Sequence, residues 1–312
     1  MSNETIPLAK PFNEKKLKFP VYFSEKFDGV PIKLTVNVPA WPEKVTYTAV
    51  TRQGEAMLSC KTILDDFVQR VFVDELQTTG KHVFVGEVLQ SEDVRAPFKD
   101  TSGMVRRQED QGWKLVVGIF DYWLEDGNRK LVLDAFMPFD VRLGYMQIML
   151  KAYWRSTAPL KGGVRKIPHS VAQSVEELTA LFEALPPDAE GGIARNHDDA
   201  SIAGKRSWGY QKMLNEPTAD LLIIGCEEAT SASGEPLGMA GRLLANYKGE
   251  KIGIGPGKLT HPERKLLWEY FQKPLSGPRM AQIKYKRDTS YKALRQPTFQ
   301  HWRDDKKEES YE

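Results

Sequence analysis

The spacing of apolar and polar residues changes several times along the chain, and each change marks an element. Between residues 30 and 60, "IKLTVNV" alternates and "KVTYTAV" is rich in β-branched residues, with Pro39 and Pro42 between them, so two strands are predicted. "TILDDFVQRVFVDEL" then moves to helical spacing and predicts one amphipathic helix. "KHVFVGEVL" and "WKLVVGIFDYWL" are nearly continuous apolar runs and predict buried strands. A helix is expected over about 137–152, and another over "SVEELTALFEAL", where Ser174 and Glu177 fit a capping box. "ADLLIIGCEE" predicts a strand, and the remainder alternates short strands with one helix, "HPERKLLWEYFQ". "NEPTA" at Asn215–Ala219 reads as a hinge. The expected organisation is an α+β domain over 1–217 and a small all-β barrel of the OB type over 218–312, with the closing KKEESYE frayed.

A length of 312 residues suits two cores. Cys60 and Cys226 are the two cysteines, too few for a disulfide framework, which points to a reducing compartment and a cytoplasmic protein. The polar N-terminus carries no apolar leader, and no run approaches the roughly 18 apolar residues that cross a bilayer. The net charge of +2 does not by itself indicate nucleic acid. A nucleic-acid enzyme with this balance has to gather its cations on one face. Arg106 and Arg107, then Lys205, Arg206 and Lys212, then Lys284, Lys286 and Arg287 are the candidate clusters.

The most pointed local pattern is "SEKFDGV". Lysine becomes a nucleophile only as the neutral amine, against an ordinary pKa of about 10.4. A desolvated site or a neighbouring positive charge achieves this. Gly29, after the acidic Asp28, lets backbone pass close to a bound nucleotide. In order after Lys26 come "TRQGE" with Arg52, "FVGEV" with Glu87, "IFDYW" with Phe120, "EGGIAR" with Glu190, "WGYQKML…ADLLIIG" with Lys212, and "LRQPTFQHWRDDK" with Arg303, Asp305 and Lys306. The five histidines (82, 169, 197, 261 and 301) have no metal-ligand spacing with the cysteines, and there is no Walker-type phosphate loop. "GIGPGKLT" has the wrong spacing for one and reads as a barrel loop.

This ordered set resembles the covalent nucleotidyltransferase superfamily of ATP-dependent DNA ligases, RNA ligases and mRNA capping enzymes. The closing segment resembles the ligase form, in particular the compact ligases of bacteriophages and bacteria. The resemblance implies a nucleotidyltransferase (adenylation) domain followed by an OB-fold domain. It implies ATP and Mg²⁺ or Mn²⁺ as cofactors, nicked duplex DNA as partner, and a monomer acting in the cytoplasm of a bacterial or phage-infected cell. Lys26 would take AMP, with Ser24 and Glu25 beside it in the nucleotide site and Asp28 orienting the reacting centre. Glu87 would bind the ribose and Glu190 a divalent metal. Phe120 would stack on adenine, and Lys212 would contact the α-phosphate. Arg52 would grip the 5′-phosphate of the nick, with Lys205, Arg206, Lys284 and Lys286 on the DNA. Arg303, Asp305 and Lys306 would meet the leaving pyrophosphate once the domains close. An RNA ligase, a capping guanylyltransferase, or a homologue that binds nicks without sealing them are the alternatives. Three positions depart from the pattern. Pro31 and Leu214 stand where basic residues are usual, and Arg195 replaces a lysine and keeps the charge. Lys33, near Pro31, is assigned to the opposite strand face.

Overall fold

The computed structural model describes residues 6–40, 42–75, 78–107, 109–125, 137–155, 162–200, 206–274, 276–286 and 294–311. The chain divides into two compact units, Met1–Leu214 and Asn215–Glu312.

The first unit opens with strands β1 (Leu8–Pro11), β2 (Val21–Lys26), β3 (Val30–Val38) and β4 (Thr46–Thr51). The predicted single helix is an α-helix α1 (Lys61–Val68) that widens into a π-helical stretch over Gln69–Glu75. Ile63, Leu64, Phe67, Val68, Val71 and Phe72 are buried, as their spacing required, while Val73 is exposed. Strand β5 (Gly80–Gln90), helix α2 (Phe98–Val105), strand β6 (Leu115–Glu125) and helix α3 (Phe139–Arg155) follow. After them come β7 (Gly163–Lys166), β8 (Ser170–Ala172), helix α4 (Val175–Glu183), β9 (Gly191–Asn196) and β10 (Arg206–Leu214). The Ser174 hydroxyl accepts from the Glu177 N–H at 3.3 Å, as the cap predicts. The return bond is displaced by one residue, because the Glu177 carboxylate accepts from the Gln173 N–H.

These strands form two five-stranded sheets. One runs β4-β3-β5-β6-β7, and the other β1-β10-β9-β2-β8. In the first, Ile32, Leu34, Val36 and Val38 alternate into a core with Phe84, Val88, Val117, Ile119, α1 and α3. In the second, Phe23 and Ala194 pack with Leu178 of α4. The opposite face of that sheet is therefore the one left for chemistry.

The second unit contains β11 (Thr218–Thr230), β12 (Pro236–Tyr247), β13 (Glu250–Ile254), helix α5 (His261–Phe271), β14 (Arg279–Lys286), β15 (Arg295–Trp302) and β16 (Ser310–Tyr311). Five strands run β13-β12-β11-β14-β15. The parallel bridge Gly255↔Thr298 brings the two outer strands together, so the sheet closes on itself as expected of the small barrel. Thr260 and Glu263 form a reciprocal capping box at the start of α5. The tail expected to fray is instead tied down: β16 pairs with β11, and the Glu309 carboxylate accepts from the Leu222 N–H at 2.8 Å. Among the described residues, no helix is long and apolar enough to cross a membrane.

Candidate active site

Strand register places the motif residues before any side-chain contact is considered. Lys26 pairs with Gly191, which also pairs with Leu214. Ser24 pairs with Ile193, which also pairs with Lys212. Residues opposite one another share a face, so Ser24, Lys26, Lys212 and Leu214 lie together on the face away from α4. Lys26 Nζ reaches Glu190, just before β9, and the pair is largely shielded, with 23% and 14% of the two side chains exposed.

Glycines let these elements meet. A Cβ on Gly29 would stand 2.5 Å from the Val88 carbonyl oxygen and 2.6 Å from Glu87 Cγ. The glycine of the turn thus answers to a close approach of the chain to its own strand β5, which sets Asp28 beside Glu87. Gly191 has φ +147, and a Cβ there would meet the Met213 carbonyl oxygen at 2.1 Å, so glycine at 191 is a steric requirement of the β9–β10 pair.

Glu87 sits on β5 opposite Pro31. Burial pushes its carboxyl up to about 7; Lys26 and Arg52 pull it down, while Glu190 and Asp28 push it further up. Five of the motif residues therefore act on one another electrostatically. The folded value is raised above the ordinary 4.5, so the stability this group contributes is complete below pH 4.5 and is lost as pH rises through about 7. The ligand-free protein should melt progressively lower between pH 5 and 8, by up to about 3 kcal/mol. Glu87→Gln should flatten that dependence, and an unchanged slope in the variant would place the titration elsewhere.

Phe120 occupies a β-bulge. The β5–β6 register jumps between Val85↔Asp121 and Gly86↔Ile119, leaving Phe120 as the extra residue, half-buried against Val83, Val85 and Trp123. The next residue, Asp121, is buried between two arginines. Arg142 donates to it at 2.9 and 3.1 Å, and Arg195 at 2.8 Å. Burial opposes its charge, but the two guanidiniums hold the carboxyl below its usual range. Arg195 also pairs with Asp199 at 2.9 Å and stacks on Phe139 and Tyr210. The charge kept at Arg195 is therefore neutralised inside the unit, and links β9 to β6 and α3. Sequence reasoning missed Asp121 and Arg142, although a charged residue inside the apolar run "VVGIFDYWL" was the available signal.

Other expected residues lie as follows. Glu25 points to the face opposite Lys26, and Arg95 takes its carboxylate at 2.7 and 2.9 Å. Its side chain therefore lies outside the cluster. Arg52 is exposed in the turn after β4. Lys33 is corrected: Pro31↔Glu87 and Lys33↔Val85 put Lys33 on the same face as Pro31 and Glu87, since residues two apart on a strand share a face. Arg206 is exposed at the start of β10. Lys205 and Arg287 lie outside the described residues, as does the Lys286 side chain. In the second unit Lys284 is paired with Glu216 at 2.5 Å. Arg303 pairs with Asp220 and Asp305, and Lys306 with Asp220. No group of three or more His, Cys, Asp or Glu among the described residues is arranged for a metal. Glu190 instead suits a cation that arrives with phosphates, since Mg²⁺ is commonly held by one or two carboxylates plus substrate oxygens.

No protein-family model and no curated protein matches the sequence. Solved structures share the fold. The chain aligns with the structure named "Pmar-Lig_Pre." at TM-score 0.72 and 18% identity, over 96% of this chain and 67% of that one. It aligns with a structure from work on Lig E DNA ligases, DNA binding with a minimal scaffold, at 0.63 and 18%, over 96% and 99%. It aligns with the ATP-dependent DNA ligase from bacteriophage T7 in complex with ATP at 0.52 and 18%, over 96% and 98%. The fold is that of the ATP-dependent DNA ligases.

Proposed function

We propose that this chain, which has the fold of the ATP-dependent DNA ligases, is itself one, and seals nicks in duplex DNA through AMP carried on Lys26. The observation that carries the reading is the convergence of Lys26, Glu190, Glu87, Asp28 and Arg52, with Lys212 on the same sheet face. In the first step the Lys26 amine attacks the α-phosphorus of ATP, the bond to pyrophosphate breaks, and a phosphoramidate remains. AMP then passes to the 5′-phosphate of the nick, and the 3′-hydroxyl displaces it. Each step is phosphoryl transfer, in which positioning and charge stabilisation supply most of the rate. Glu190 is the group to hold a divalent cation, Mg²⁺ or Mn²⁺, which would neutralise phosphate charge when bound, and Glu87 would bind the ribose. Lys212 would meet the α-phosphate and Phe120 the adenine. We assign it to a monomer of the cytoplasm working in DNA repair and replication. The test is incubation with α-labelled ATP and Mg²⁺, denaturing electrophoresis, and then addition of nicked DNA. Label that never becomes attached, or never leaves on a nick, refutes the reading.

A second reading, a homologue that holds nicks without sealing them, is favoured by Leu214, an apolar residue in the same cross-strand row as Lys26. Lys33 weighs against it by supplying a cation on the face of Glu87. Lys33→Ala should slow self-adenylation about tenfold, the effect of one charged phosphate contact worth about 1.5 kcal/mol. Wild-type rates in the variant would leave the substitution at Pro31 uncompensated. Arg52 is assigned to the nick. Arg52→Ala should still form enzyme–AMP but pass it to the 5′-phosphate more slowly, by about 1.5–3 kcal/mol. Failure to self-adenylate, with normal sealing of pre-adenylated nicks, would reverse the role.

A further inference from the structure

Asp220 lies on β11, the opening strand of the barrel, and is among the most committed carboxylates in the second unit. Only 5% of its side chain is exposed. It pairs in register with Ser310 of β16 and with Gln282 of β14. Arg303 Nη1 donates to both its oxygens at 3.2 Å. Lys306 Nζ and, at 3.0 Å, the Ser310 hydroxyl donate to Oδ2. Lys306 Nζ also donates to Ser310 Oγ at 3.1 Å. Arg303 and Lys306 thus share one oxygen atom, and two cations so close repel unless an anion lies between them. Burying that anion costs free energy unless its lone pairs are filled, and here four hydrogen bonds from three side chains fill them.

The other carboxylate on Arg303 is of a different kind. Asp305 accepts from Nε at 2.9 Å and from Nη2 at 2.8 Å, with 64% of its side chain exposed. The Asp305 fork is bidentate but open to water and to an incoming anion, whereas breaking the buried Asp220 pair would leave an uncompensated buried charge. An incoming phosphate oxygen can therefore take the Nε–Nη2 fork from Asp305 while Asp220 keeps Nη1. The Arg303 backbone is also fixed, its N–H donating to the Met280 carbonyl at 2.8 Å.

We propose that Asp220 is a positioning residue, the permanent anchor of a two-cation clamp, Arg303 and Lys306, for the pyrophosphate group of the nucleotide. The inference rests on the ligase reading for its reaction and for its ligand. In the reverse of the first step, a pyrophosphate oxygen attacks the adenylate phosphorus, the P–N bond to Lys26 breaks, and ATP and the lysine amine are regenerated.

The test uses the full chain. Enzyme carrying labelled AMP is titrated with pyrophosphate, and loss of label is followed. Asp220→Asn should raise the pyrophosphate concentration for half-maximal reversal about tenfold or more, and Ser310→Ala, which loses a hydrogen bond to the same carboxylate, about fivefold. Transfer of the same AMP to a nick should change less than about twofold in either variant. Calorimetric titration of pyrophosphate into AMP-free protein should show the same weakening, with Arg303→Ala as reference. Equal loss in reversal and nick transfer would overturn the proposal in favour of a merely structural carboxylate. Tighter pyrophosphate binding in Asp220→Asn would overturn it too, because Asp220 would then be sequestering the cations. Should Asp220→Asn fold poorly, Ser310→Ala decides alone by the same criteria. A wild-type protein that takes no AMP yet binds pyrophosphate in an Asp220-dependent way would refute the ligase reading and leave this proposal standing. A wild type that does neither refutes both.

Discussion

Lys26→Ala should carry no AMP after denaturation, a loss on the order of 10⁴-fold or more, as befits removal of a nucleophile. The alternative acceptor on the same sheet face is Lys212, and register keeps the two amines apart. Lys26 is on β2 and Lys212 on β10, with β9 between them. At strand spacings near 4.8 Å the two backbones lie about 10 Å apart. A phosphorus placed in line with one amine is then out of line with the other, and in-line geometry is what the reaction demands. Lys26→Arg should fail as well, since guanidinium keeps its charge at any working pH and cannot attack. Sealing of a nick that already bears 5′-AMP should survive in part in both variants. Label persisting on Lys26→Ala, or shifting to Lys212, would remove Lys26 from the centre of the mechanism.

How much of this was legible beforehand depended on whether the deciding interaction was local. The strand β3 and the helices α3, α4 and α5 follow from periodicity and caps, which act over a few residues. The ordered motif residues could be found because each sits in a short, recognisable string. The sheet that holds Lys26 was harder. Its strands are short, and polar motif residues such as Ser24, Glu25, Lys26 and Lys212 interrupt the alternation that would reveal them. Lys33 was assigned to the wrong face although the period of two settles the matter, and the register with β5 corrects it. The partners of Asp121 and Asp220 were invisible for a different reason. Arg195 lies 74 residues from Asp121, and Arg303 lies 83 from Asp220, so the pairings exist only after the sheets form. The tail was expected to fray because chain termini are loose unless tied down. Its order comes from edge pairing with β11 and from a carboxylate at Glu309, neither of which composition records.

Asp121→Ala should destabilise the protein by about 3–5 kcal/mol, the usual consequence of removing one partner from a buried ionic group. The substitution leaves Arg142 and Arg195, 1% and 2% exposed at their side chains, facing a cavity without their common counter-charge. Arg195 already has one nitrogen, Nη2, with no hydrogen-bond partner among the described residues, so no spare acceptor is at hand to compensate. For a unit of this size each kcal/mol moves the melting temperature by roughly 2–4 °C, which puts the expected drop near 10 °C. The effect should also reach the nucleotide. Asp121 closes the bulge that sets Phe120, and it joins β6 to β9, whose first residue follows Glu190. Variant protein assayed below its melting point should therefore need more ATP for half-maximal self-adenylation. Replacing Arg142 and Arg195 by Met along with Asp121 should restore much of the stability, since a buried ionic group is often matched by apolar side chains of similar volume. It should not restore ATP affinity, because the link between the two strands is gone. A drop of less than about 3 °C in Asp121→Ala would show that the two guanidiniums find other acceptors and that this network does not hold the two sheets together.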